Sequence, residues 1–363
     1  MKKTKAPEKK STPVFVIIGP TCTGKTSLAI NLCQRLGGEI ISADSRQIYK
    51  YMDLGTGKMP VKDAGAPLDS LKKAESTRNV NVIKKTEEVW NIDGVNIWGY
   101  DLVEPDKYFS SYDFGLFALE KAEKLISENK KIFLTGGTGF YIDTFTKRIE
   151  PSFVEPDFEI RKKLSKLSTE ELAERFKNLD YTSYQKIDQK NPARLIRAIE
   201  KLLATGKYSI LENLSLNQNA IITELKNEDR KTPQVQEKKL PYLENARFVY
   251  IGLTAPRDTL YQKAGAWVEQ IWKAGLLDET KNLIKQGYES SPKLHGLIYK
   301  TVLEFLENKI PEKNALQRIK FDMHGYIRRQ QTYFKKTPEI VWFDISRESF
   351  KENIYNFVNG QAN

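Results

Sequence analysis

The chain has 363 residues, 40% of them hydrophobic, and carries 58 Lys plus Arg against 47 Asp plus Glu, a formal net charge of +11. This length and apolar share exclude a fibrous or wholly disordered chain and allow one large domain with a satellite, or two domains. The positive balance favours an anionic partner such as nucleic acid, with plain solubility as the alternative.

Residues 1–13, with Lys2, Lys3, Lys5, Lys9 and Lys10, read as a disordered basic arm and contain no apolar segment of the secretory kind. No apolar run is long enough to span a bilayer, so no membrane and a reducing cytoplasm are the expectation. Only Cys22 and Cys33 occur, roughly 16 Å apart if the chain between them is helical, too far for a disulfide.

The first apolar run, Val14 to Ile18, predicts a strand, and a helical pattern with Leu28, Leu32 and Leu36 follows it. Between them lies Gly19-Pro20-Thr21-Cys22-Thr23-Gly24-Lys25-Thr26, the pattern of a phosphate cradle. Glycines let the backbone N–H groups of Gly19, Thr21, Cys22, Thr23 and Gly24 turn toward an anion, Lys25 adds a cation, and the Thr26 hydroxyl can hold Mg²⁺. The helix that opens there points its positive end at the same anion.

Glu39 to Ser45 reads as a second strand that delivers Asp44 and Ser45 to the edge carrying the loop, since sites in open parallel sheets form at the carboxyl ends of strands. Capping of the next segment is a second job open to Asp44. The stretch from Gln47 to Lys58 leads into a polar region that reads as a mobile loop. Asp93-Gly94 between β-rich arms predicts a hairpin near 79–100, projecting from the sheet. Asp113 to Glu128 predicts a helix, and Lys131 to Leu134 a third strand that ends in Thr135-Gly136-Gly137-Thr138. A nucleotide hydrolase would usually place a magnesium-binding Asp there.

Residues 151–246 read as a helical insertion, with a flexible polar segment over 211–245. Ser168 and Glu171 have capping-box spacing, and Asn191-Pro192 opens a helix that Gly206 closes. On it Arg194, Arg197 and Lys201 share one face, a stripe suited either to solvent or to phosphodiesters. Residues 247–345 read as a return to the core, with a strand at 248–253, a Pro-started helix with Arg257 in its first turn, a basic and aromatic helix over 311–336, and a closing strand at 340–343. Residues 346–363 read as a tail.

These stretches together resemble the tRNA dimethylallyltransferase (tRNA isopentenyltransferase) family from Val14 to about Phe343. The resemblance rests on the phosphate loop, Ile41 to Ser45 with Gln47-Ile48-Tyr49, Met52 to Thr56, Gly136 to Tyr141, Asn191 to Arg194 with Arg197, and Arg329-Gln330-Gln331-Thr332. It implies a P-loop NTPase-like α/β fold, a parallel sheet with helices on both faces plus the helical insertion; a monomer is the expectation for its assembly. The implied reaction moves a prenyl group from dimethylallyl diphosphate to the exocyclic amine of an adenosine beside the tRNA anticodon, with Mg²⁺ as cofactor. The family implies Asp44 as base, Lys25, Thr26 and Arg257 on the diphosphate, and tRNA contacts from Asp44, Ser45, Gln47, Thr138, Arg161, Arg194, Arg197, Arg328, Arg329 and Gln330. The chain departs from the family pattern at Ile97, Trp98, Ile298 and Tyr333, positions assigned to tRNA contact. Two other activities fit a phosphate loop: prenylation of free adenylate, and a small-molecule kinase.

Overall fold

The computed structural model describes residues 11–58, 83–86, 89–151, 154–206, 221, 225 and 239–362. They fall into two compact units, one made of Met1–Glu150 with Leu240–Asn363 and the other of Pro151–Lys239.

The larger unit is built on one sheet. Its strands are β1 (Thr12–Ile18), β2 (Glu39–Ser42), β3 (Ile83–Lys85), β4 (Trp90–Ile92), β5 (Val95–Trp98), β6 (Ile132–Thr135), β7 (Ala246–Thr254) and β8 (Val341–Asp344). They lie in the order β3-β4-β5-β2-β6-β1-β7-β8. From β5 to β8 all neighbours are parallel. Every residue from Val14 to Ile18 and from Ile132 to Thr135 is buried, which is what strands covered on both faces require. The helix α1 (Lys25–Leu36) packs beside β1, β2, β5 and β6, while α2 (Ser111–Ser127) packs beside β2 and β6 and against α3 (Gly139–Phe145). The P-loop-like α/β fold expected from the sequence is therefore present, with an antiparallel edge added.

That edge is the hairpin. Asp93 (φ 51°) and Gly94 (φ 83°) both take positive φ, the turn an Asp-Gly pair favours. The hairpin does not project from the sheet: β5 pairs with β2, Ile40 opposite Ile97 and Ile41 opposite Trp98. Its residues explain why, since Val95, Ile97 and Trp98 are buried and the Trp98 indole N–H donates to Glu39 at 2.6 Å. The region beyond Lys58 expected to be a mobile loop lies outside the described residues.

The second unit has its own core of Leu164, Leu172, Phe176, Leu179, Leu195 and Ile199. These come from α4 (Phe158–Leu164), α5 (Thr169–Leu179), the short α6 (Tyr181–Tyr184) and α7 (Pro192–Thr205). Ser168 and Glu171 form the capping box, and Asn191 caps α7 while Gly206 ends it in the left-handed conformation. The unit closes at Lys239 rather than 246, and most of the polar segment 211–245 lies outside the described residues.

After β7 come α8 (Arg257–Ile271), a π-helical turn over Trp272–Leu276, α9 (Leu277–Lys285), α10 (Leu297–Leu306) and the long α11 (Glu312–Phe334). Pro256 stands just before α8 instead of inside it. The segment read as a tail is in fact a helix, α12 (Phe350–Ala362), seated against α1 and β1. Ile354 and Val358, one turn apart, are fully buried, and the Arg35 guanidinium lies 3.3 Å from the centre of the Tyr355 ring.

Candidate active site

The loop between β1 and α1 is shaped by its glycines. Gly19 has φ 143°, and a Cβ there would lie 2.4 Å from the Leu253 carbonyl oxygen, so no other residue fits. Cys22 (φ 64°) and Gly24 (φ 79°) are left-handed, the kind of backbone turn from which anion-binding nests are built, although the Thr21 N–H expected to face the anion is given to Gln330 Oε1 instead. The Thr23 hydroxyl and the Lys25 ammonium each donate to Pro20 O at 2.8 Å. The first turn of α1 holds no acidic residue, so its positive end is unopposed.

Asp44 leaves the end of β2 beside this loop. Its Oδ1 accepts the Arg46 N–H at 3.0 Å, so the acid does hold the following turn while remaining at the sheet edge. Thr138 Oγ1 accepts the Ser45 N–H at 2.9 Å, which fixes the loops after β2 and β6 to each other. A Cβ on Gly137 would stand 3.4 Å from Asp44 Oδ2 and 2.3 Å from Gln330 Nε2, so the glycine leaves room for both side chains.

The electrostatics converge on the same place. Burial pushes the Lys25 ammonium down to about 8, with Asp44 and Cys22 opposing the shift. Three tyrosines, Tyr100, Tyr141 and Tyr326, feel the Asp44 charge, and burial first, then that charge among others, raises their hydroxyls above the usual phenol range. The Tyr100 hydroxyl also bonds to the Thr26 side chain. A lysine titrating near 8 makes diphosphate binding pH-dependent. Affinity for inorganic diphosphate, followed by calorimetry, is expected to hold steady below pH 8 and to fall above it as the ammonium loses its proton. Lys25→Met should bind more weakly and lose that fall; a parent affinity flat to pH 10 contradicts this placement of Lys25.

Other expected site residues are placed differently. Gln330 is buried: its Oε1 accepts the Thr21 N–H at 2.8 Å and its Nε2 donates to Gly137 O at 3.0 Å. It therefore ties the phosphate loop to the loop after β6, and its amide is engaged on both sides. Gln47 is likewise occupied, accepting from the Ser42 hydroxyl at 2.8 Å and donating to Thr56 O and Gly57 O at 3.2 and 3.3 Å. Arg257 follows β7, the strand beside β1, and its side chain is exposed. Arg328 donates to the Tyr261 hydroxyl at 3.0 Å, and Arg329 stands 5.8 Å from the Tyr326 ring centre.

In the second unit, Arg194 is exposed, but Arg161 and Arg197 both bond to the buried Glu200 carboxylate, and Arg197 also donates to Val154 O at 2.7 Å. The basic stripe of α7 thus has an internal acid three residues beyond Arg197, which the spacing alone did not reveal as its partner.

The departures from the family pattern are packing positions here. Trp98 and Ile298 are buried, and Tyr299 donates to Glu279 at 2.6 Å, while Tyr333 bonds to Asp143 and lies against Gly139. Sequence reasoning missed Tyr100, the bridging role of Gln330, and the fully buried Lys58, which contacts Asp53 at 2.7 Å, Asp101, and Tyr49 O at 2.8 Å. A lysine straight after Gly-Thr-Gly was the available signal for the last.

Among the described residues no group of three His, Cys, Asp or Glu stands ready for a metal ion. Were Mg²⁺ to arrive on substrate phosphates, Thr26, in the first turn of α1, is the hydroxyl it would meet.

A phosphate loop at the end of β1 and an acid just past the end of β2, with Gly136-Gly137 following β6, are the parts of a phosphate-loop enzyme. The chain belongs to the IPP transferase family, whose sequence model matches residues 47–337, with the isopentenyl transferase model matching 12–70. It is 33% identical to a tRNA dimethylallyltransferase of Acetivibrio thermocellus over 93% of this chain and 92% of that one. A second tRNA dimethylallyltransferase, from Finegoldia magna, is 31% identical over the same shares. Among solved structures, a tRNA isopentenylpyrophosphate transferase of Staphylococcus epidermidis superposes with TM-score 0.57 at 26% identity, covering 96% of this chain and 98% of that one. A eukaryotic dimethylallyltransferase acting on tRNA shares the fold, with TM-score 0.62 at 18% identity over 97% of this chain and 79% of that one. Among the described residues no helix is long and apolar enough to cross a membrane.

Proposed function

We propose that this protein transfers a dimethylallyl group from dimethylallyl diphosphate to the N6 amine of adenosine 37 in the tRNA anticodon loop, releasing diphosphate. The observation that carries the reading is Asp44 set within electrostatic reach of Lys25 at the mouth of a phosphate loop. An adenine amine is a weak nucleophile because its lone pair is delocalised into the ring. Asp44 accepts its proton as the new N–C bond forms and the allylic C–O bond to diphosphate breaks. The loop N–H groups, Lys25 and Arg257 hold the departing negative charge. Mg²⁺, when bound, adds charge neutralisation on the phosphates, and Thr26 is the residue to hold it. The target base must leave its stack to reach Asp44. The protein acts as a monomer in the cytoplasm, where unmodified tRNA is found.

The test is to incubate unmodified tRNA transcript or AMP with donor and Mg²⁺, digest the RNA, and analyse the nucleosides by mass spectrometry. Prenylated adenosine from tRNA and none from AMP is the expected result. Efficient prenylation of AMP would instead make this a free-adenylate enzyme.

A further inference from the structure

Glu279, in the first turn of α9, takes part in no step above, yet its carboxylate accepts four hydrogen bonds. Oε2 accepts the Asp53 N–H at 2.9 Å and the Leu54 N–H at 2.7 Å, and Oε1 accepts the Gly55 N–H at 3.1 Å and the Tyr299 hydroxyl at 2.6 Å. We infer that Glu279 is a positioning residue for prenyl transfer: it holds the loop over residues 53–58 and, through Gln47, sets the place of Asp44. The inference rests on the reading of Asp44 as the base and adds the residue that keeps that base in place.

The donors are the first argument. Successive backbone N–H groups turned to one side form the kind of concave nest that binds a free anion, and here the anion is a side chain of the protein itself. An ionised carboxylate has two acceptor oxygens and no donor, which suits it to a row of N–H groups. A glutamine in its place would keep one oxygen and turn an N–H₂ group toward those donors. Burial pushes the Glu279 carboxyl up, and the Tyr299 hydroxyl and the Leu54 and Gly55 N–H groups hold against it by favouring the charged form. The contact is close: a Cβ on Gly55 would lie 2.5 Å from Tyr299 Cζ, so the loop backbone rests on the ring whose hydroxyl shares the carboxylate.

Connection is the second. Within the loop the Gly57 N–H donates to Leu54 O at 3.1 Å and the Lys58 N–H to Asp53 O at 3.0 Å, so pinning residues 53–55 also pins 56–58. The carbonyls of Thr56 and Gly57 take the Gln47 amide at 3.2 and 3.3 Å. Gln47 in turn grips the chain at the acid: its Oε1 accepts the Ser42 hydroxyl at 2.8 Å, and its backbone N–H donates to Asp44 O at 3.2 Å. Hydrogen bonds and one tight loop therefore lead from α9 to the backbone of Asp44.

Place is the third. Ser42 is the last residue of β2 paired with β6, so Asp44 lies beyond the ladder. There the chain is held by loop contacts, with Thr138 on the Ser45 N–H and Gln47 on Asp44 O. A shift of about 1 Å in a reacting group can cost about 10²-fold in rate, so a residue that holds this segment acts on the transfer step and not on affinity.

The test reads single-turnover prenyl transfer, KM for tRNA and inorganic diphosphate affinity in the parent, Glu279→Gln, Gln47→Met and the double variant. Each single variant should slow transfer about tenfold to a hundredfold while KM and diphosphate affinity stay within about twofold of the parent. Because both act along one path, the double variant should be no slower than the slower single one, whereas independent losses would multiply. Hydrogen exchange followed by mass spectrometry gives a reading without catalysis: residues 53–55 should lose protection in Glu279→Gln while residues 14–18 of β1 keep theirs. A parental rate in Glu279→Gln, multiplying losses, weakened diphosphate binding, or protection lost across β1 as well overturns the inference. If Glu279→Gln does not fold, Gln47→Met decides alone: a parental rate, or a loss confined to KM for tRNA, overturns it. A parent that prenylates no tRNA, or an Asp44→Asn that keeps its rate, brings down the functional reading itself, whereas a parent active on tRNA with any of the earlier outcomes brings down only the positioning role.

Discussion

Asp44→Asn is expected to lower the single-turnover rate of prenyl transfer by ~10²–10⁴, the usual loss when a general base is removed, while inorganic diphosphate still binds. The amide keeps the shape of the carboxylate and can still accept the Arg46 N–H that now bonds to Oδ1. What it cannot do is take a proton from the adenine amine. The variant also removes the negative charge that helps keep Lys25 protonated. The pH at which diphosphate affinity begins to fall should therefore move below 8, which reports that Asp44 stands beside Lys25. Near-parental single-turnover rates in Asp44→Asn would take this residue out of the chemistry.

The second large effect is on stability. Lys58 is completely buried between Asp53 and Asp101, and Asp101 also accepts the Trp90 indole N–H at 2.8 Å. Lys58→Met keeps much of the volume and removes the charge, leaving two carboxylates sequestered around an apolar chain. Breaking a buried pair in this way costs ~3–5 kcal/mol. Burial pushes the Asp53 carboxyl up, but Lys58 and Lys85 outweigh it and hold it below its usual value. A carboxylate with a depressed value adds stability above its unfolded pKa, about 3.9, and that contribution is lost as pH falls through the folded value. The deficit of Lys58→Met, read by urea unfolding, should thus hold from pH 7 down to about pH 4 and shrink only below it, as the carboxyls take up protons. A loss under about 1 kcal/mol, or one indifferent to pH, would show the cluster to be replaceable.

What the sequence revealed and what it concealed divide along physical lines. The loop from Gly19 to Thr26, the strand ending at Asp44 and the caps at Ser168, Asn191 and Gly206 are local: each follows from a few neighbouring residues, and each is where the sequence puts it. The Asp93-Gly94 turn is local too, but its attachment to the sheet depends on Trp98 meeting Glu39, residues far apart in the chain. Gln330 reads as one polar residue on a basic helix, and only the fold brings it 2.8 Å from the Thr21 N–H. Arg161 and Arg197 are expected on tRNA, yet both meet the buried Glu200 of α7, one from α4 and one from α7 itself, and periodicity reports a face without reporting what folds over it. The closing helix was hidden by a polar composition in which Ile354 and Val358 are the buried contact.

The central claim is that the loop from Gly19 to Thr26 holds the diphosphate of a prenyl donor and not a nucleotide triphosphate that gives up a phosphoryl group. The most direct measurement supplies purified protein with dimethylallyl diphosphate labelled in its carbon chain together with ATP labelled at the γ-phosphate, with and without unmodified tRNA, and follows both labels. Carbon label entering RNA only when tRNA is present, with the phosphate label left on ATP, is the predicted result. Transfer or release of the ATP phosphate in the absence of RNA, with no carbon label in tRNA, would contradict the account.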